Sequence, residues 1–318
     1  MSLMIETREL AKTFKSGKQT VEAVRGVDLT VRKGEIYGFL GPNGAGKSTT
    51  MRMLATLLPP TNGTARVAGH DLRREPELVR KNIGYVAQAG GSEPVMTGRE
   101  NLILQGRLFG MDKTTATRRA AELTEALEMG SFVDRTVKTY SGGQRRRMDL
   151  ALGMIHRPAL LFLDEPTTGL DPQSRYHLWD EIRKLHAAGT TVFLTTHYLD
   201  EADALCHRLA IMDHGKIVSE GTPASLKQQV AGDVITLGMS GELLMKGETV
   251  LRNQAFVREI HHRDDALQIY VERGEEVLPN IMRLFDSAAL PIQTVALARP
   301  SLDDVFMRMT GRSLRESA

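Results

Sequence analysis

The densest chemistry in this chain lies in nine consecutive residues, Gly41-Pro42-Asn43-Gly44-Ala45-Gly46-Lys47-Ser48-Thr49. They fit G-x-x-x-x-G-K-[ST] and fall between a strand-like run, 35–40, and an expected helix. Glycines let backbone N–H groups close around phosphate oxygens without side-chain obstruction. The helix that follows aims the positive end of its dipole at the same phosphates. Lys47 would supply a point charge to the β- and γ-phosphates, and Ser48 a hydroxyl to Mg²⁺. A second signal is Leu160-Leu161-Phe162-Leu163-Asp164-Glu165, an apolar run of buried-strand length ending in two acids. In open α/β sheets ligands bind at such strand ends. There Asp164 would hold Mg²⁺ through its water shell. Glu165, pointing differently, would orient or deprotonate an attacking water.

These groups need a scaffold that brings strand ends together, and the first 220 residues supply the pattern for one. Val27, Leu29 and Val31 alternate as in a half-buried strand, and Val192 to Leu194 lies in another apolar run. Between such runs are helical spacings: Ala116, Ala120, Leu123, Leu127, and Leu178, Ile182, Leu185. Strands alternating with helices predict α/β layering with parallel strands. The segments up to about Val67 are richer in β pattern and suggest a separate small sheet. Near Gly221-Thr222-Pro223 the pattern changes, with Thr222 as N-cap and Pro223 at the first helical position. Strands are expected at 234–237, 257–261, 267–271 and 292–297. A helix carries Val277, Ile281 and Leu284, and Pro279 inside that spacing argues that it starts later than its apolar pattern. Ser301 and Asp304 form a capping-box-like start for a short last helix that would dock its Val305 and Phe306 face. We therefore expect a first domain over 4–221 and a smaller α+β domain over 222–318.

Composition bounds the function. With 318 residues the chain suits one large or two unequal domains. Its net charge of +2 gives no strong pull toward nucleic acid or an anionic membrane. Arg145-Arg146-Arg147 reads as a solvated helix start beside the phosphate site. Cys206 is the single cysteine, so an internal disulfide is excluded. No run approaches the roughly 18–20 apolar residues that span a bilayer, and residues 1–14 lack a signal-peptide core. A cytoplasmic location is expected.

Tyr140-Ser141-Gly142-Gly143-Gln144 resembles the signature motif of ATP-binding-cassette ATPases, with Tyr140 where leucine is commoner. The family's other motifs follow in order. Gln88, in Tyr85-Val86-Ala87-Gln88, resembles the Q-loop glutamine. Gly169-Leu170-Asp171-Pro172 resembles the D-loop, and His197 the switch histidine. The resemblance spans about residues 4–225. It implies a phosphate-loop cassette fold: a mixed sheet core, a small antiparallel β part and a helical subdomain at about 89–157, followed here by the smaller C-terminal α+β domain. It also implies ATP and Mg²⁺ as ligands, with Ser48, Gln88 and Asp164 toward the metal. Glu165 is then the general base, His197 a clamp on the γ-phosphate and the water, and Phe14 a stacking partner for adenine. Such ATPases act as head-to-tail pairs. Ser141, Gly142, Gly143 and the helix starting near Gln144 would contact the partner's ATP, and Asp171 would couple the two sites.

Met53-Leu54-Ala55-Thr56-Leu57-Leu58, Lys138-Thr139-Tyr140-Ser141-Gly142-Gly143 and Ser301-Leu302-Asp303-Asp304-Val305-Phe306 resemble the ATP-binding subunits of daunorubicin/doxorubicin-resistance exporters. That branch implies a subunit at the cytoplasmic face of a bacterial-type membrane. It would drive efflux of a hydrophobic drug or secondary metabolite through a separate multi-span permease, docked on Ala89 to Leu108. Two other readings are a lipid or polysaccharide exporter subunit and a non-transport cassette acting on DNA or the ribosome. Against the latter, Lys47 and Ser141 lie only 94 residues apart and one phosphate loop is present. No nucleic-acid partner is expected.

Overall fold

The computed structural model describes residues 2–17, 19–230, 232–239, 241–252, 254–263, 265–298 and 301–310. The chain divides into two compact units, one up to Thr222 and one from Pro223 onward. Residues 311–318 of the expected second domain lie outside the described residues.

The first unit runs through β1 (Leu3–Ser16), β2 (Gln19–Arg32), β3 (Ile36–Leu40), α1 (Lys47–Leu54), β4 (Asn62–Val67), β5 (His70–Asp71), α2 (Pro76–Asn82), β6 (Ile83–Val86), α3 (Gly98–Leu108), α4 (Lys113–Ala126) and α5 (Gly142–Met154). It continues with β7 (Leu160–Asp164), α6 (Pro172–Ala187), β8 (Thr191–Thr196), α7 (Leu199–Leu205), β9 (Arg208–Asp213) and β10 (Lys216–Gly221). A six-stranded sheet has the order β10-β9-β3-β8-β7-β6. Five of its strands are parallel, and β10 is the antiparallel edge. Strands β3, β7 and β8 are buried along their whole length, which explains why they read as unbroken apolar runs. A separate antiparallel sheet has the order β2-β1-β4-β5. Ile5, Leu10, Val27, Leu29 and Val31 of that sheet share one core with Phe39, Met51, Phe162 and Phe193.

Between β6 and β7, helices α3, α4 and α5 pack on one another. Helix α3 starts with a full capping box, Thr97 with Glu100. Helix α4 starts at Asp112, whose carboxylate accepts from Thr115 N. Tyr140 is buried against Phe132, ring centroids 4.9 Å apart, and its hydroxyl donates to the Phe132 carbonyl at 2.9 Å. A Cβ on Gly98 would stand 2.4 Å from that hydroxyl oxygen. The bulkier signature-motif residue is accommodated by a glycine on α3.

The second unit comprises α8 (Pro223–Val230), β11 (Val234–Gly238), α9 (Gly241–Arg252), β12 (Val257–Arg263), β13 (Ala266–Val271), α10 (Gly274–Ser287), β14 (Thr294–Ala298) and α11 (Leu302–Thr310). Its antiparallel sheet has the order β12-β13-β11-β14. Ile235, Leu237, Leu267, Ile269, Ile281 and Phe285 lie at its core. Helix α8 begins at Pro223, as the sequence indicates. The Ser301–Asp304 box caps α11: Asp304 N donates to Ser301 Oγ, and Ser301 N to the Asp304 carboxylate. The expected late start of α10 is wrong. The helix begins at Gly274 and carries exposed Pro279 inside it. Burial of Ile281 and Phe285, with Val277 and Leu284 packed beside them, outweighs the lost hydrogen bond to the Glu275 carbonyl. Helix α9, between two expected strands, had no counterpart in the sequence reading.

Candidate functional site

Because β3, β8 and β7 are neighbours in parallel register, their C-terminal ends open side by side. From β3 the chain enters residues 41–46, where glycine is required for two different reasons. A Cβ on Gly41 would stand 2.2 Å from the Met212 carbonyl oxygen, whereas Gly44 has open space but φ +80°. Gly46 caps α1 at φ 102°. Lys47, 3% exposed, folds its ammonium back to donate to the carbonyls of Gly41 (2.6 Å) and Pro42 (3.0 Å). Its Nζ lies 3.5 Å from Glu165 Oε1. Burial pulls the Lys47 pKa down, and the charges of Glu165 and Asp164 oppose that pull.

Asp164 closes β7 and is held from three sides. Its Oδ1 accepts from Ser48 Oγ and Thr195 Oγ1, both at 2.7 Å, and its Oδ2 from Tyr85 at 3.4 Å. Glu165 follows in the left-handed region, φ 46°. Its N–H donates to Thr195 Oγ1 at 3.0 Å. Gln88 Nε2 and Thr168 Oγ1 each donate to its Oε2 at 3.2 Å, and His197 Nδ1 lies 3.3 Å from the same oxygen. The imidazole of His197, then the Lys47 ammonium, hold the Glu165 carboxyl below the usual range despite burial. It is therefore ionised at neutral pH, as a proton acceptor must be.

Pro42 to Thr49, Gln88, Glu165, Thr168 and His197, with Ala23 of β2, line a cavity of about 650 Å³. The donor set of Ser48, Asp164 and the Gln88 amide oxygen is all hard oxygen with one carboxylate. That suits Mg²⁺, which keeps several waters and takes its other ligands from phosphates.

The remaining predicted residues lie outside this cavity wall. Phe14, on β1, is 40% exposed with Lys12 Nζ 5.2 Å over its ring. Ser141 caps α5: its hydroxyl accepts from Gln144 N, and Gln144 Oε1 accepts from Ser141 N. A Cβ on Gly142 would meet Leu170, and one on Gly143 would meet Ser174. Asp171 caps α6 through Ser174 N and Oγ. Gln144 and Asp171 are thus already engaged within their own helix caps, and Ser141 is exposed.

Sequence reasoning missed Thr195, Thr168 and Tyr85, which hold the two acids; proximity to the motifs was their only signal. It also misread Arg146. That side chain is 7% exposed, not solvated. Its guanidinium donates to the carbonyls of Pro166 (2.7 Å), Ala87 (2.7 Å) and Asp164 (3.0 Å). A guanidinium surrenders its water only where its donors find oxygen, and here three carbonyls converge.

A second concavity, about 910 Å³, adjoins the segment after Gln88. Leu57, Ile83, Leu108, Phe109, Leu152 and His156 supply apolar and aromatic walls, with Arg80, Lys81 and Glu77 at its charged side. Phe109 stacks on His156 at 3.8 Å. Gly90, Gly91, Gln105 and Leu108 come from the expected docking segment, and α2 adds the rest of one wall.

Known proteins resemble this chain over nearly its whole length. The ABC transporter family profile matches residues 24–168, and the profile "ATP-binding protein DrrA1-3-like, C-terminal domain" matches residues 221–310. The chain is 45% identical to the daunorubicin/doxorubicin resistance ATP-binding protein DrrA of Streptomyces peucetius, over 99% of this chain and 96% of that protein. It is 33% identical to the linearmycin resistance ATP-binding protein LnrL of Bacillus subtilis, over 98% of this chain and all of that protein. Among solved structures, the dimeric post-hydrolysis cassette MJ0796 bound to ADP and Pi superposes with TM-score 0.64 at 27% identity, covering 69% of this chain and 98% of that one.

Proposed function

This chain belongs to the ATP-binding proteins of ABC transporters, in the branch of the daunorubicin/doxorubicin-resistance subunits. On that premise we propose that it works as a head-to-tail pair at the cytoplasmic face of a membrane, driving outward movement of a hydrophobic drug-like compound through a separate permease. The chain is an ATPase of the cassette fold. Among the described residues no helix is long and apolar enough to cross a membrane. The observation that carries the pairing is the division of the site. Lys47, Ser48 and Glu165 line the cavity, while exposed Ser141 at the positive end of α5 lies outside its wall. A second copy would bring its Ser141 to the γ-phosphate.

In this reading Glu165 accepts the proton of the attacking water, and His197 and Gln88 hold that water and the γ-phosphate. Lys47 leaves the carbonyls of Gly41 and Pro42 for the phosphates, and Phe14 stacks on adenine. Ser48, Asp164 and Gln88 would hold Mg²⁺, which when bound neutralises charge on the β- and γ-phosphates. The 910 Å³ groove offers the apolar concave surface that a cytoplasmic helix of a permease requires. The relatives named for daunorubicin/doxorubicin and linearmycin resistance support the cargo class. The test is co-purification of tagged Glu165→Gln protein with Mg-ATP from detergent-solubilised native membranes. One stoichiometric multi-span membrane protein is expected. Ribosomes or nucleic-acid proteins without a membrane partner would overturn the reading.

A further inference from the structure

The buried guanidinium of Arg146 has a role that the cavity wall alone does not reveal. Its hydrogen bonds run to Pro166, Ala87 and Asp164 and not to the phosphate loop. Its three acceptors are backbone carbonyls, each adjoining a residue of the hydrolytic site. Ala87 immediately precedes Gln88, Asp164 immediately precedes Glu165, and Pro166 immediately follows Glu165. One planar fork therefore grips the peptide unit entering Glu165, the unit leaving Pro166 and the unit entering Gln88. The side chains of those two residues meet at 3.2 Å.

Two further observations give the grip a purpose. Glu165 stands at φ 46°, a conformation that glutamate holds only when its surroundings fix it. Arg146 itself lies on α5, the helix that Ser141 caps. One turn along the same helix, Asp149 accepts from Gly91 N at 3.1 Å, tying the segment after Gln88 to α5 as well. Asp149, Glu201 and Asp164 balance the guanidinium charge against its burial. At donor–acceptor distances of 2.7–3.0 Å, a shift of α5 by about 1 Å breaks these bonds.

We propose that Arg146 is a positioning residue for ATP hydrolysis: it seats the signature helix on the backbone around Glu165 and Gln88, so that the proton acceptor is aligned only when that helix is in place. The inference rests on the assignment of Glu165 and Gln88 made above. It makes Arg146 matter for turnover and not for nucleotide affinity. Lysine keeps the charge but cannot fork to three carbonyls, and methionine keeps only the volume.

The test uses full-length wild type, Arg146→Lys, Arg146→Met and Glu165→Gln. Mg-ATP affinity and stoichiometry are measured with phosphate release, and turnover is expressed per chain able to bind nucleotide. That normalisation removes any simple loss of folded protein. Affinity within about threefold of wild type is expected for both Arg146 variants. Turnover should fall about 10- to 100-fold, the scale of a 1 Å misplacement in an active site, with lysine the milder change. Turnover per competent chain within threefold of wild type in both variants would overturn the proposal. So would loss of nucleotide binding, or failure of both to fold, because Arg146 would then be holding up the domain. Normal hydrolysis by Glu165→Gln would instead break the underlying assignment of the base.

Discussion

Replacing Glu165 by glutamine should make the protein bind Mg-ATP more tightly while it nearly stops turning over, and the structure sets the first magnitude. The carboxylate lies 3.5 Å from Lys47 Nζ and accepts from Gln88 and Thr168 at 3.2 Å. A glutamine of the same length keeps its oxygen toward Gln88 and Thr168 and turns its amide nitrogen toward Lys47. Stripping one partner from a buried ion pair costs about 3–5 kcal/mol when the other charge is left bare. Lys47 is not bare, since the Gly41 and Pro42 carbonyls remain at 2.6 and 3.0 Å. The cost to the nucleotide-free protein should therefore be about 1–3 kcal/mol, the scale of one hydrogen bond to a charged group. Phosphate oxygens restore an anionic partner to Lys47, so this penalty is recovered on binding. It appears as affinity increased about 5- to 150-fold at 1.4 kcal/mol per decade. Loss of a positioned base lowers hydrolysis by about 10²–10⁴. Phosphate release reads the second effect. Melting curves with and without Mg-ATP read the first, as a lower free midpoint and a larger ligand-induced rise. Turnover within threefold of wild type would refute the base. Unchanged or weaker affinity would refute the account of Lys47.

Three further outcomes follow from the packing and charge. The difference in urea midpoint between wild type and Glu165→Gln should hold from pH 7 down to the unfolded glutamate value, about 4.3. Below that it should shrink, because a depressed carboxyl loses its contribution as pH falls through its folded pKa; a difference that keeps growing below about pH 4.3 would contradict the sign. Gly98→Ala should destabilise by about 1–3 kcal/mol through overpacking against the Tyr140 hydroxyl. In a double-mutant cycle Tyr140→Phe should relieve part of that cost, and strict additivity would show the clash to be absent. Pro279→Ala should raise stability by about 1–3 kcal/mol by restoring a helical hydrogen bond in α10, and a lower denaturation midpoint would mean that the proline is locally favourable.

Legibility in the sequence followed the range of the interaction. The phosphate loop and the Asp164-Glu165 pair were readable because their chemistry sits in consecutive residues flanked by buried strands. The order β3, β8, β7 that brings Gly41, Glu165 and His197 together was not in the pattern, and the family resemblance supplied only a mixed sheet core. Arg145, Arg146 and Arg147 are equivalent as letters. Helical phase, about 100° per residue, turns one of them into the core and leaves Arg145 exposed. The Pro279 error had the opposite cause: a reliable local rule lost to burial of Ile281 and Phe285, which only the tertiary fold supplies.

The left-handed turn at Glu165 has a genetic consequence. Glycine adopts that conformation freely and asparagine nearly so, while glutamate holds it against a strain of about 1–3 kcal/mol. A change to glycine would remove the carboxylate and at the same time relax the backbone, offsetting part of the stability lost with the side chain's contacts. In the head-to-tail pairing proposed above, such a product would persist with nucleotide bound and pair with intact copies. Glu165→Gly should therefore behave as dominant, poisoning mixed assemblies, whereas alleles that unfold the cassette should be recessive.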